Sequence, residues 1–130
     1  KGMLKIMRDI NENGTKNILI PKIEIFCNGL QSEHIARAVG YGIEEEGLPY
    51  HISIGEYLWT DVYKTSRGSI LGVAIQVQEG KICVYARQLK ENRPLFDCRV
   101  SGSEQAKIIG KNAARIIKNK PFIDFKETVI

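Results

Sequence analysis

The sequence predicts an α/β fold: a three-layer, open, mostly parallel sheet with one antiparallel strand, flanked by helices. Strand-like and helix-like segments alternate along the chain, which is typical of α/β proteins. The near-continuous apolar run Ile70–Val77 indicates a strand covered on both faces, at the centre of the sheet. Strict polar and apolar alternation over Lys81–Arg87, after a turn at Glu79-Gly80, indicates a half-exposed antiparallel strand.

The chain has room for one domain. Its 130 residues are 43% hydrophobic and 26% charged, as in globular proteins. We assign residues 1–17 to an amino-terminal extension, either an added strand pair around the Asn13-Gly14 turn signal or a loose segment, and residues 18–130 to a single α/β domain. The widely spaced cysteines are interpreted as buried or half-buried thiols.

The first half of the domain contains a strand, a helix and a second strand. Lys22–Cys27 is the first strand, and Tyr50–Ile54 is the second. Ser32 is expected to cap the helix between them, and Gly40 and Gly42 inside that helix predict close packing against the sheet. The apolar stripe of the helix comprises Ile35, Val39 and Ile43.

The second half adds two helices and an edge segment. Glu56–Arg67 is predicted to be helical because a crossover is needed there, although its β-branched and aromatic residues favour a strand. Gln88–Val100 is expected to be a loop that leads to a short edge segment. Ser101 and Glu104 have capping-box spacing at the start of a final helix that Pro121 ends. A basic stripe on the outer face of that helix is expected to be solvated; it comprises Lys107, Lys111, Arg115 and Lys118.

Three consecutive carboxylates, Glu44, Glu45 and Glu46, close the first helix just before Gly47. A helix carboxyl end carries about half a negative charge, so acidic residues there cost roughly 0.3–1 kcal/mol each. Either solvent and salt screen these charges, or a cation or a basic partner surface meets them. Successive helical residues diverge by about 100°, so the three carboxylates cannot all bind one ion. One of them could complete a metal site built by another chain.

No self-contained active site is evident in the sequence. A catalytic nucleophile with its base, a metal cluster and a glycine-rich phosphate loop are all missing. The Gly40-Tyr41-Gly42 segment lies inside a predicted helix, and His34 and His51 are interpreted as surface or capping residues. We therefore assign no catalytic residue and predict a non-catalytic chain.

Three motifs resemble one known family. The segment Gly42–Tyr50 resembles the Gly-Ile-Glu-Glu-Glu-Gly-Ile-Pro-Phe signature of the small subunits of diol and glycerol dehydratase reactivating factors, with Tyr50 in place of Phe. Two further matches follow in order: Pro94-Leu95-Phe96, and Gly110–Arg115 with Lys118 and Pro121-Phe122. The connector Glu56–Arg67 and the residues before Lys16 show no match.

The resemblance implies a function that composition does not show. Such subunits pair with a large, Hsp70-like ATPase subunit that binds ATP and ADP. The complex reactivates a cobalamin-dependent diol or glycerol dehydratase by subunit exchange, which lets damaged cobalamin leave. The small subunit has no cofactor of its own, but it contributes one glutamate, here Glu45, to Mg²⁺ or Ca²⁺ at the interface. Glu44, Glu46, Leu95 and Phe96 are the other expected partner-binding residues.

Two other functions remain open from the sequence. The chain could be the medium subunit of a cobalamin-dependent dehydratase, although it is short for that role. It could also be a nucleic-acid-binding module, since the net charge is +4 and the pI near 9.0. The absence of an apolar span and of a signal-peptide pattern predicts a cytoplasmic location without a membrane partner. The resemblance implies no nucleic-acid partner and leaves open whether the chain lies free in the cytoplasm or in a bacterial microcompartment.

Overall fold

The computed structural model describes residues 20–124. Five strands and three α-helices form one α/β unit, and a 3-10 turn, Leu30–Ser32, precedes the first helix. In chain order the elements are β1 (Ile23–Asn28), α1 (Glu33–Glu45), β2 (Tyr50–Gly55), α2 (Trp59–Gly68), β3 (Val73–Gln78), β4 (Lys81–Ala86), β5 (Phe96–Arg99) and α3 (Ser103–Lys118). The predicted extension 1–17 lies outside the described residues, so the domain boundary stays a prediction.

The five strands form one sheet in the order β2-β1-β3-β4-β5. β1 pairs in parallel with β2 and with β3. β4 pairs antiparallel with both β3 and β5, so β4 runs opposite to the four other strands. This confirms the predicted mostly parallel sheet with one antiparallel member. β3 lies at the centre, as predicted, although it begins at Val73 and Ile70 before it is exposed.

Helices cover the two faces of the sheet unequally. α1 and α3 pack side by side on one face, where the main core contains fully buried residues such as Ile25, Ile75 and Val84. α2 lies on the opposite face and packs Val62 with Ala74 and Tyr85. The predicted three-layer arrangement is therefore confirmed.

The segment predicted to be a crossover helix is helical, but over Trp59–Gly68 rather than Glu56–Arg67. The carboxylate of Asp61 accepts the backbone N–H of Leu58 at 2.9 Å, which supplies the helix start. Packing of Val62 and Ser66 in the interior stabilises the helix against its strand-favouring residues.

Ser32 occupies the N-cap position of α1, as predicted, but without a capping bond from its side chain, and the cap predicted at Ser101 is wrong. Ser32 is buried in the 3-10 turn and makes no side-chain capping bond. α3 begins after Gly102, and it is Gln105, not Glu104, whose side-chain oxygen accepts the backbone N–H of Ser101, at 2.7 Å. The helix starts later than the capping pattern implies, so a neighbouring side chain performs the same role.

The cysteines are as predicted: Cys27 and Cys83 are buried and Cys98 is half-buried. Burial raises the pKa of the Cys83 thiol to about 11, so it is protonated at neutral pH. Across residues 20–124, no helix has both the length and the apolar character needed to cross a membrane.

Candidate functional site at the carboxyl end of α1

The end of α1 holds the acidic triplet in a fixed geometry. Gly47 adopts a left-handed conformation with φ of 87°, as its position after the helix predicts. Its N–H donates to the carbonyl of Glu44 at 2.8 Å, and the N–H of Leu48 donates to the carbonyl of Ile43 at 3.2 Å. These two bonds form a Schellman motif, which stops the helix and turns the chain into β2.

α1 and α3 touch through their backbones beside the triplet. A Cβ atom placed on Gly42 would lie 2.1 Å from the carbonyl oxygen of Lys107. One placed on Gly110 would lie 2.0 Å from the carbonyl oxygen of Val39. The expected close packing is therefore present, but Gly42 packs against a helix rather than the sheet. This contact brings the side chains of α3 to the end of α1.

Gly40 packs closely against the sheet, as the sequence predicts. A Cβ atom there would lie 2.4 Å from the ring of Tyr50 on β2, so this glycine does allow α1 to approach the sheet. The two glycines of α1 therefore contact different elements, Gly40 the sheet and Gly42 the helix α3. Positions two residues apart on a helix are separated by about 200°, so they cannot face the same neighbour.

Glu45 lies between two lysines of α3. The Nζ of Lys107 is 2.7 Å from one carboxylate oxygen, and the Nζ of Lys111 is 3.1 Å from the other. We call this arrangement the lysine clamp. Its hydrogen bonds, first from Lys107 and then from Lys111, hold the pKa of Glu45 below its usual value, and the same bond raises the pKa of Lys107. The Glu45 side chain is still 44% exposed, so it is accessible to a partner.

The side chain of Glu46 diverges from that of Glu45 and is held within the fold. Its side chain is only 9% exposed, and one carboxylate oxygen lies 3.0 Å from the guanidinium of Arg115. Lys120 lies 3.9 Å from the other oxygen, and Lys118 donates to the Glu46 backbone carbonyl. By contrast, Glu44 is exposed and forms no ion pair with any residue in the described range.

The expectation that the basic stripe of α3 is merely solvated is wrong. All four of its residues contact the triplet, two through Glu45 and two through Glu46. α1 has no basic residue in its last turn, so α3 supplies the positive charge that the end of α1 lacks. The sequence showed the stripe through its three-to-four spacing, but nothing in that spacing identifies the neighbouring helix.

The carboxyl-terminal motif fastens the chain that follows α3. The Asn112 side chain donates to the carbonyl of Ile123 at 2.9 Å and accepts the N–H of Ile123 at 2.7 Å. Arg115 donates to the carbonyl of Pro121 at 2.9 Å with the nitrogen that does not contact Glu46. The ring of Phe122 packs edge-on against Phe96, with centroids 5.0 Å apart. Asn112 and Arg115 therefore have positioning roles that sequence reasoning missed.

Leu95 and Phe96 lie at the opposite edge of the sheet from β2. Both are half-buried and pack against the main core, and the N–H of Leu95 donates to the carbonyl of Val84 at 2.7 Å. The structure does not place them beside the triplet. Their link to it runs through Phe122 and the Arg115-bound segment. Their role in partner binding stays a prediction.

Residues 20–124 offer single metal ligands rather than a complete site. No group of three or more His, Cys, Asp or Glu side chains within residues 20–124 could hold an ion. Glu45 has the donor chemistry that Mg²⁺ or Ca²⁺ prefers and is exposed enough to be reached. Each of its oxygens is already paired with an ammonium group, so a cation competes with the two lysines for the carboxylate. Glu45 thus fits as one ligand of a shared site.

We expect the Glu45 carboxyl to titrate below 4.5, the ordinary value, in a carbon-detected NMR titration of the folded chain. A carboxyl pKa that folding lowers stabilises the folded state above the unfolded pKa, and this stabilisation disappears as the pH falls through the folded pKa. In a Lys107→Met, Lys111→Met variant the midpoint should rise toward the ordinary value. An unchanged midpoint in that variant would show that the lysine clamp does not form.

Sequence comparisons define the class of the protein. The model of the dehydratase medium subunit family matches residues 20–123, so this chain belongs to that family. Within it, the chain is 35% identical over 102 residues to the diol dehydratase-reactivating factor small subunit of Klebsiella michiganensis, covering 75% of this chain and 77% of the relative. It is 34% identical over 111 residues to the propanediol dehydratase-reactivating factor small subunit of Citrobacter freundii, covering 82% and 93%.

Solved structures agree with this placement. A structure of diol dehydratase-reactivating factor complexed with ADP and Mg²⁺ contains a chain similar to this one, with a TM-score of 0.70 and 29% identity. The match covers 82% of this chain and 100% of that chain. Glycerol dehydratase reactivase matches with a TM-score of 0.71 at 23% identity, over 82% of this chain and 99% of its own, a likeness of fold.

Proposed function

We propose that this chain is the small subunit of a reactivating factor for a cobalamin-dependent diol or glycerol dehydratase. It has no catalytic role itself. It pairs with a large, Hsp70-like subunit that binds ATP and ADP and hydrolyses ATP, and the factor frees the dehydratase of damaged cobalamin by subunit exchange. The observation that carries this proposal is the 35% identity to a reactivating-factor small subunit across 77% of that relative.

The alternatives fit the observations less well. The relatives that match over 77% and 93% of their own length are reactivating-factor small subunits, which favours that role over a dehydratase subunit. A nucleic-acid interface would need the basic stripe of α3 to face outward. That stripe instead meets Glu45 and Glu46 within the chain, so little of its charge is available to a phosphate backbone.

In this proposal Glu45 is the ligand that the chain contributes to Mg²⁺ or Ca²⁺ at the interface with the large subunit. When bound, such an ion supplies positive charge that ties two carboxylate-bearing surfaces together. The work of this chain is to present one carboxylate at a rigid helix end. The Schellman motif and the Gly42 and Gly110 contact fix the backbone, and the lysine clamp holds the carboxylate in competition with the cation. Glu44, exposed beside it, is a further partner-binding residue, whereas Glu46 is only 9% exposed and supports this surface through its ion pair with Arg115.

The direct test is co-elution of this chain with the large ATPase subunit. We expect a complex with Mg²⁺ and ADP that loosens when ATP and the dehydratase are added together. The nucleotide in the related solved factor, ADP with Mg²⁺, sets the starting condition. If no complex forms in either nucleotide state, the proposed function is wrong.

A Glu45→Gln variant should bind the large subunit at least about tenfold more weakly in Mg²⁺, because even loss of an outer partner of a metal ligand costs roughly 10- to 100-fold in metal affinity. Lys107→Met with Lys111→Met should have the opposite effect and strengthen binding about two- to fivefold, since two competing ammonium groups are removed. Affinities measured by titration calorimetry across a Mg²⁺ series would show both.

Lys120→Met is the matched control for the lysines, because it removes a positive charge near the same site without touching Glu45. If this control strengthens binding as much as the double variant, the gain comes from the lower net positive charge and not from the release of Glu45. If Glu45→Gln binds like the unaltered chain in Mg²⁺, Glu45 is not an interface ligand.

A further inference from the structure

The two edges of the sheet are protected very differently. β5 is only four residues long, and the ring of its Phe96 packs edge-on against Phe122. β2 is six residues long, and no segment within residues 20–124 pairs with its outer side. Natural sheets usually blunt or cover such an edge, because its open backbone groups readily accept another strand.

Two backbone hydrogen bonds show which groups of β2 are open. Ile23 donates to the carbonyl of Pro49, and Gly29 donates to the carbonyl of Gly55, both at 3.1 Å. Carbonyls 49 and 55 therefore face β1, and since strand residues alternate, so do the backbone groups of residues 51 and 53. The N–H and C=O groups of Tyr50, Ile52 and Ile54 must face outward, evenly spaced along the edge.

A groove runs beside this edge on the α1 side. It encloses about 450 Å³ between β2 and α1. Ile52 and Ile54 line it with Tyr50, and Glu33, Arg37 and Glu44 of α1 form its opposite wall. An added strand would therefore find this groove for the side chains on its α1 side as well as backbone partners, and recognition by strand addition uses both.

The charges at the two ends of the edge indicate the chemistry of the added strand. Glu44 and Glu56 are exposed and form no ion pair within the described residues, whereas Glu33 is neutralised by Arg37 at 2.6 Å. Glu44 lies near the Tyr50 end, where burial and then the Glu44 charge raise the pKa of that phenol, and Glu56 follows Gly55 at the other end. A second copy pairing antiparallel would set Glu44 against Glu56 of its mate, and this repulsion disfavours self-association.

We propose that the outer edge of β2 accepts an extended segment with basic residues from the large subunit, as a sixth strand of the sheet. The identity of the partner rests on the proposed function. The edge itself rests on the open groups of Tyr50, Ile52 and Ile54, the groove and the two unpaired carboxylates. Glu44 lies at both this edge and the acidic triplet, so the two surfaces are continuous.

Amide hydrogen exchange of this chain, alone and in complex with the large subunit, tests the edge directly. In the chain alone the amides of Ile52 and Ile54 should exchange fast, and those of His51 and Ser53 slowly. In the complex, Ile52 and Ile54 should slow by at least about tenfold. Slow exchange of these two amides in the chain alone would mean that the edge is already covered. Unchanged fast exchange in the complex would mean that the partner binds elsewhere; either result overturns the proposal.

Two variants separate this inference from the proposed function. Ile54→Pro removes one outward N–H and should weaken binding of the large subunit about fivefold, whereas Ile54→Ala removes the same packing but keeps the N–H and should bind more tightly than the proline variant. Glu56→Lys should also weaken binding, and Glu79→Lys, an exposed carboxylate in the β3–β4 turn, should not.

If the unaltered chain binds the large subunit while Ile54→Pro and Glu56→Lys bind like their controls, the edge proposal is wrong and the proposed function stands. If the unaltered chain does not bind, both are wrong. Circular dichroism establishes that each variant folds, and Glu56→Lys keeps the test decisive should the proline variant not fold.

Discussion

Gly110→Ala is expected to reduce the free energy of unfolding by about 3 kcal/mol, at the upper end of the usual cost of overpacking a core. The added Cβ would lie 2.0 Å from the carbonyl oxygen of Val39, and backbone cannot rotate away as a side chain can. The two helices must therefore separate. Gly42→Ala should behave similarly, since its Cβ would lie 2.1 Å from the carbonyl oxygen of Lys107. Urea unfolding followed by circular dichroism measures both losses.

Gly68→Ala is the matched control, because a Cβ atom at this last residue of α2 would meet nothing within 4 Å. Alanine there should leave stability unchanged or raise it by roughly 0.4–1 kcal/mol through the unfolded state. If Gly110→Ala and Gly68→Ala unfold at the same urea concentration, the backbone contact between α1 and α3 is not as close as the structure shows.

The fold could be predicted from the sequence because its signals are local. Hydrophobic patterning predicts most of the strands and the helices α1 and α3, and the alternation of Lys81–Arg87 predicts the antiparallel member, whereas α2 follows from the need for a crossover. The glycines of α1 predicted close packing, but Gly42 packs against a helix that lies more than 60 residues further along the chain. No local pattern identifies such a neighbour. The error at Ser101 has the opposite scale, because α3 begins one residue later than the capping pattern predicts.

The site could be located from the sequence but not resolved into its parts. The unfavourable negative charge at the end of α1 identifies the triplet as a candidate site. The rotation of about 100° per residue along a helix predicts that its carboxylates diverge. Only the packing of α3 shows that Glu46 is held by Arg115, that Glu45 is clamped yet accessible, and that Glu44 has no ion pair within residues 20–124. The three adjacent glutamates thus have different roles, and a substitution of all three at once would mix stability with binding.

Arg115→Met is expected to cost about 2–3 kcal/mol of unfolding free energy, somewhat less than the roughly 3–5 kcal/mol for breaking a fully buried ion pair. Glu46 is 9% exposed, and without Arg115 its nearest remaining counter-charge is Lys120 at 3.9 Å. The same change removes the bond to the carbonyl of Pro121, which loosens the segment that carries Phe122. Thermal unfolding at neutral pH gives the loss directly.

A double-mutant cycle with Glu46→Gln decides whether the stability lost in Arg115→Met comes mainly from the ion pair with Glu46 or from the bond to Pro121. Should the pair dominate, Glu46→Gln with Arg115→Met will be more stable than the sum of the two single losses predicts, because no unpaired charge remains buried. Strict additivity would instead assign the loss to the Pro121 bond.

Arg115→Lys refines the answer, because it keeps the positive charge but cannot present two separate N–H groups to Glu46 and Pro121 in the same fork. A lysine variant as stable as the unaltered chain would show that charge alone suffices, and that the bridging geometry of Arg115 has no energetic role.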